Sequence, residues 1–200
     1  YPQGNFASPV FHGERPDPMP HYEMTGNPVS IAFSEQSPPV KMRSFKLYQD
    51  TKKIRDVKIL DKDNDPNRLL TERQFALFPL QPLEYDTDYR AVFEYRQNGK
   101  DRTAEWTFST QKPDYPYFIV KGGETLAIES GQKYFIHWQD FWCLKQCERY
   151  NYRTNRDTQI DIIERQAGGI IIRVNGSKGS SIRLMPEGED RRAITLYLWK

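Results

Sequence analysis

Cys143 and Cys147 are the only cysteines in a chain of 200 residues, and three residues separate them. Two such thiols in an exported protein are expected to pair as a structural disulfide, and in the chain-entropy picture closing so short a loop gains roughly 2 kcal/mol. With His137 upstream they also form three of the four ligands a metal would want. No fourth follows, and the spacing is not the C-x2-C of a zinc ribbon, so no metal is expected there. Asp61, Asp63 and Asp65, with Glu72 in twelfth place, imitate a calcium loop. Pro66, however, stands where the sharp turn requires glycine, and an Asx-rich turn is the plainer reading. Around the cysteines runs an aromatic and basic series: Trp138, Trp142, Tyr150 and Tyr152 interleaved with Lys145, Arg149, Arg153 and Arg156. Such rings stack on sugars and such guanidiniums clamp carboxylate or phosphate, which would make residues 138–156 a ligand loop. The same rings serve equally well as core packing in a small β domain, and both readings stay open.

Hydrolytic catalysis needs a nucleophile or activated water, a base and a group to orient it. His12 and His21 lie in a proline-rich lead, and His137 alternates with Tyr134, Ile136 and Trp138, which places it on the opposite face of its strand. No Gly-x-Ser-x-Gly, His-Glu-x-x-His or phosphate loop occurs, and Asn175–Ser181 lacks P-loop order and reads as a hairpin loop. The expectation is a non-catalytic chain without cofactor.

The elements that would position these groups are short strands. Aromatics make up 14% of the chain, and Val, Ile, Thr, Tyr and Phe recur in brief alternating runs suited to pleated, half-buried surfaces. In the first half these are Val29–Phe33, Phe45–Tyr48, a run from Ile54 to Leu60 with a bulge or a register change between Ile54 and Val57, Phe75–Phe78, and two long strands joined at Asn98-Gly99. In the second half they are Tyr117–Val120, Thr125–Ile128, Lys133–Trp138, Gln159–Glu164, Ile170–Val174, Ile182–Leu184 and Ile194–Trp199. The fold class is therefore all-β: an immunoglobulin-like sandwich over 27–111, a proline-stiffened joint at 112–116, and a second small β-sandwich or partly open barrel over 117–200. No residue-level repeat aligns the halves. Residues 1–26 carry Pro2, Pro9, Pro16, Pro18 and Pro20 and form either a linker or an arm anchored by Phe6, Phe11 and Tyr22.

Ile31-Ala-Phe33-Ser34, Leu83 six residues before Tyr89, and Trp106-Thr-Phe108-Ser-Thr110 together resemble the bacterial Ig-like domains of surface and secreted proteins. The proline-rich start, Asn27–Ile31 and Gln74–Leu80 further resemble the tail that follows the cysteine-rich secretory protein (CAP) domain in some bacterial proteins. That family's functional histidines and glutamates lie in the CAP domain, which has no counterpart here. The resemblance implies an accessory region of an exported protein, periplasmic, secreted or cell-surface, which positions an upstream domain or touches cell-wall glycan or an envelope protein. The alternative is a binding module using the 138–156 loop for glycan or an anionic ligand. A net charge of +2 with interspersed signs argues against nucleic acid, and no apolar run is long enough to span a bilayer.

Overall fold

The computed structural model describes residues 1–11, 14–139, 149–155, 157–166 and 168–200. They fall into two units, Tyr1–Lys112 and Pro113–Lys200.

In the first unit, β4 (Val29–Ala32), β8 (Gln74–Pro79) and β7 (Val57–Leu60) form one sheet in the order β4-β8-β7. The facing sheet runs β1-β10-β9-β5-β6, from β1 (Gly4–Ala7), β10 (Lys100–Thr110), β9 (Asp88–Gln97), β5 (Val40–Gln49) and β6 (Lys52–Lys53). The chain thus visits the sheets in the alternating order of an immunoglobulin-like Greek key, with β1 parallel to the closing strand β10. Both Asn98 (φ 51°) and Gly99 (φ 74°) are left-handed, as the two-residue turn between β9 and β10 demands. The bulge or register change expected between Ile54 and Val57 is a crossover instead: β6 ends at Lys53 in one sheet and β7 starts at Val57 in the other, so both ends are apolar and the middle is turn.

Alternation fills the space between the sheets. Phe45, Leu47, Tyr89, Ala91, Phe93 and Phe108 point inward from one sheet and Val29, Phe75 and Leu77 from the other. The corner before β9 is closed by the Tyr89 hydroxyl, which accepts the Glu84 backbone N–H at 2.9 Å. Burial raises the Tyr89 phenol pKa well above its ordinary value. Thr110, at the end of the Trp-x-Phe-x-Thr strand, donates its hydroxyl to the Glu84 carbonyl and accepts the Thr87 N–H at 3.0 Å. The lead is sewn into this unit. Trp106 Nε1 donates to the Pro2 carbonyl at 3.0 Å, Leu83 N–H to that of Pro9 at 2.8 Å, and Gln111 N–H to that of Ala7 at 2.8 Å. A short pair, β2 (Val10–Phe11) with β3 (Thr25–Gly26), folds the lead back, burying Met19 and setting Phe11 edge-on to Phe78, while Tyr22 stays exposed.

The second unit repeats this topology. β11 (Tyr117–Val120), β13 (Lys133–Trp138), β16 (Gly169–Asn175) and β15 (Gln159–Gln166) form one sheet in the order β11-β13-β16-β15. β12 (Thr125–Ile128), β18 (Ile194–Leu198), β17 (Ser181–Pro186) and β14 (Tyr150–Thr154) form the other, in the order β12-β18-β17-β14. The trio β13-β16-β15 answers to β4-β8-β7, and β12-β18-β17-β14 to β1-β10-β9-β5, again with an early strand, here β12, parallel to the last, while the opening strand β11 adds a parallel pairing with β13. The unit is a sandwich of two separate sheets, not a barrel. Asn175–Ser181 is a crossover between the sheets, not a hairpin loop, because β16 and β17 lie in different sheets. A tyrosine closes a crossover here too: the Tyr134 hydroxyl accepts the Glu129 N–H at 3.0 Å at the arch from β12 to β13. Apart from a three-residue 3-10 turn at Asp190–Arg192, the described residues contain no helix, and none long and apolar enough to cross a membrane.

Candidate functional site

The structure separates the residues singled out in the sequence. Trp138 is fully buried in the second core, its ring 5.5 Å from that of Tyr150 and its indole N–H donated to the Arg192 carbonyl at 2.8 Å. Tyr150 is buried beside it, and its phenol pKa is pushed up to about 12 by burial. Both are packing residues and present no face to a ligand. Trp142, Lys145, Arg156 and the cysteines Cys143 and Cys147 lie outside the described residues. His137 is also fully buried, on the face opposite Trp138, with Nδ1 3.0 Å from the Gly168 carbonyl and its ring stacked on Phe135. A ring enclosed in this way is a structural histidine.

The aspartates of the calcium-like segment make a turn. Asp61 Oδ1 accepts the backbone N–H groups of Asp63 and Asn64, and the Asn64 amide donates to the Ile59 carbonyl. Asp65 is nearly buried and accepts three backbone N–H groups, from Asn67 at 3.0 Å, Leu69 at 2.7 Å and Leu70 at 2.9 Å. With its oxygens so engaged it does not join Asp61 and Asp63 around a cation, and the described residues contain no cluster of three or more His, Cys, Asp or Glu fit to hold one. Burial alone would raise the Asp65 pKa, but the three donors outweigh it and hold the carboxyl below its usual range. Asp65→Asn is expected to cost about 2 kcal/mol at neutral pH, since the amide offers a single, uncharged acceptor. A depressed carboxyl contributes stability above the unfolded value of about 3.9, and that contribution disappears as pH falls through the folded value. Urea unfolding at pH 7 and pH 3 should therefore show the deficit of the variant shrinking in acid; a deficit that is the same at both would rule this out.

Residues 150–154, read from the sequence as part of a ligand loop, are strand β14, at the edge of its sheet. Tyr150 faces inward, while Arg149, Asn151 and Arg153 share the outer face by the two-residue period. There Arg153 sits directly opposite Arg183 of β17, and both are exposed. They line an open groove of about 530 Å³ with Asn151, Tyr152, Met185 and Asp190. Among the described residues neither guanidinium has an ion-pair or hydrogen-bond partner. Arg183 escaped sequence reasoning because it lies thirty residues beyond Arg153; only the register of β14 on β17 joins them.

The equivalent outer face of the first unit is built differently. Lys46 of β5 meets Glu94 of β9 at 2.8 Å, Arg90 meets Glu105 of β10 at 3.3 Å, and Ser44 donates to Glu94. The Lys46 hydrogen bond, followed by that of Ser44, holds the Glu94 carboxyl below its usual range. Arg90 also stands 4.6 Å over the Tyr48 ring. On this sheet each of these cations is answered by an acid, whereas on the matching sheet of the second unit two like charges face each other.

No model of a known protein family matches the chain, and no curated protein does. Among solved structures, a titin fragment, A168169, aligns at 10% identity over 99% of this chain and 95% of that one, with a TM-score of 0.28. Domains 4 and 5 of the S-layer protein SbsC align at 12% identity over 80% of this chain and all (100%) of that one, with a TM-score of 0.27. An endo-fucoidan hydrolase of glycoside hydrolase family 107 aligns at 6% identity over 98% of this chain but only 27% of its own, with a TM-score of 0.31. Similarity at this level says nothing of activity, and the architecture rests on the strand order described above.

Proposed function

We propose that the chain is a non-catalytic accessory region of an exported protein, whose second unit holds an anionic ligand on the outer face of β14 and β17. The observation that carries this reading is the pair Arg153 and Arg183, directly opposed across neighbouring strands without an acidic partner. Like charges in that relation are destabilising, by some tenths of a kcal/mol, unless an anion sits between them. Two planar guanidiniums side by side match the geometry of a carboxylate, sulfate or phosphate group. The first unit, with its neutralised face and sewn-in lead, acts as the spacer. The likeness of the lead and of Gln74–Leu80 to the tail behind a CAP domain is the reason to place a further domain upstream in the same polypeptide, and an envelope component as the partner.

The test is affinity for dextran sulfate at low salt, with the double variant Arg153→Gln, Arg183→Gln beside the unaltered chain. The variant should bind at least tenfold more weakly and be no less stable to heat, because removing opposed charges relieves repulsion. An unchanged affinity would sink the proposal. A melting temperature lowered by several degrees would instead give the arginines a structural role.

A further inference from the structure

The outer face of this sheet continues beyond the arginines, and its composition indicates what the anion is attached to. Arg153 is in register with Arg183, Arg183 with Thr195 of β18, and Thr195 with Thr125 of β12. One residue pair further along, Ser181, Tyr197 and Ala127 make a second row on the same face. Leu184, Ile182, Leu196, Leu198 and Ile128, which alternate with them, are buried in the core. Tyr197 is thus flanked by a serine and an alanine, neither large enough to cover its ring, and is 40% exposed. Strand spacing puts it about 12 Å from Arg153, two strands across and one pair along. The face therefore offers, in order, two guanidiniums, three small hydroxyl side chains (Thr195, Thr125 and Ser181) and an open aromatic ring.

From this we infer that the ligand is an acidic polysaccharide, its carboxylate or sulfate groups held by Arg153 and Arg183 and a neighbouring sugar ring stacked on Tyr197. The inference rests on the anion-binding reading above and specifies its ligand. Each part of the surface has a sugar counterpart: guanidinium for the acidic substituent, side-chain hydroxyls for ring hydroxyls, and the phenol for the apolar face of a pyranose. An acidic peptide fits less well. Peptides dock on sheets chiefly by adding a strand at an edge, where free backbone N–H and C=O groups are on offer, and a sheet face has none to give. A nucleic acid would gain the same two charge contacts, but the chain's net charge of +2 supplies no wider field to hold its backbone.

The experiment measures binding of the full chain to polygalacturonate, neutral dextran, polyglutamate and an oligothymidylate in one low-salt buffer, with Tyr197→Ala, Tyr197→Phe and the double arginine variant. Polygalacturonate should bind and neutral dextran should not. Tyr197→Ala should weaken polygalacturonate about tenfold, Tyr197→Phe should restore most of that affinity, and neither should alter any residual binding of polyglutamate. Because Tyr197 is half-exposed on the outer face, both variants should melt with the unaltered chain, and the phenylalanine variant controls for the loss of a β-former. Polyglutamate or oligothymidylate bound as tightly as polygalacturonate, with no effect of Tyr197→Ala, would overturn the polysaccharide while leaving the anion site intact. Binding of every polyanion unaffected by the double arginine variant would overturn both.

Discussion

Replacing Phe93 with alanine will cost the first unit about 4 kcal/mol, the largest single loss expected there. Phe93 is fully buried in β9, and its ring centroid lies 5.2 Å from that of Phe45, 5.0 Å from Phe75, 6.0 Å from Phe33 and 5.5 Å from Tyr95. Those rings come from both sheets, so the residue is the point at which the two layers interdigitate. Truncation removes the transfer energy of a benzyl group and leaves a void that strands pinned by long ladders cannot collapse around. Phe93→Leu keeps most of the volume and should cost about 1–2 kcal/mol. Urea titration followed through backbone amide signals of β5 and β9 reads the effect on this unit alone. A loss below 1 kcal/mol for the alanine variant would mean that the aromatic cluster is not the core described.

The comparable residue of the second unit is Trp138. Trp138→Ala should cost about 4–5 kcal/mol, combining a large cavity with an orphaned acceptor. The indole N–H reaches the Arg192 carbonyl, while the Arg192 guanidinium donates back to the Gln139 carbonyl at 2.9 Å. The end of β13 and the 3-10 turn before β18 are thus fastened in both directions. Trp138→Phe keeps the ring and breaks the hydrogen bond, and about 1–2 kcal/mol is expected. The contrast with the arginines makes this useful. Trp138→Ala should reduce polyanion binding in step with the unfolded fraction seen by circular dichroism, whereas Arg153→Gln, Arg183→Gln should reduce it with the fold intact. Normal binding by an equally stable Trp138→Ala would show that this tryptophan is not part of the core.

Much of the first unit was legible because each of its devices is local. Asn98-Gly99 has to turn left-handed, Leu83 and Tyr89 span one corner, and Trp106-Thr-Phe-Ser-Thr110 alternates cleanly. The same corner spacing recurs at Ile128 and Tyr134, the one trace in the sequence of the shared design. It was obscured because it marks a different crossover, before β13 instead of before the penultimate strand. Strand β14 was missed although Tyr150, Asn151, Tyr152 and Arg153 alternate in the proper way, since aromatic and basic residues close to a cysteine pair invite a chemical reading. The candidate site was half legible for the same reason. Arg149 and Arg153 were singled out, but their companions Arg183 and Tyr197 arrive only through strand register, a long-range property that no local pattern encodes.

In each unit an early strand lies parallel to the last one, β1 beside β10 and β12 beside β18. A chain under tension would drag the two members of such a pair in opposite directions along their own length. The hydrogen bonds bridging them then carry the load together, in shear, instead of parting one after another as the rungs of an antiparallel hairpin do when its ends are peeled apart. Each unit, taken by itself and closed in this way, should therefore resist a pull along these strands better than one closed by an antiparallel hairpin alone.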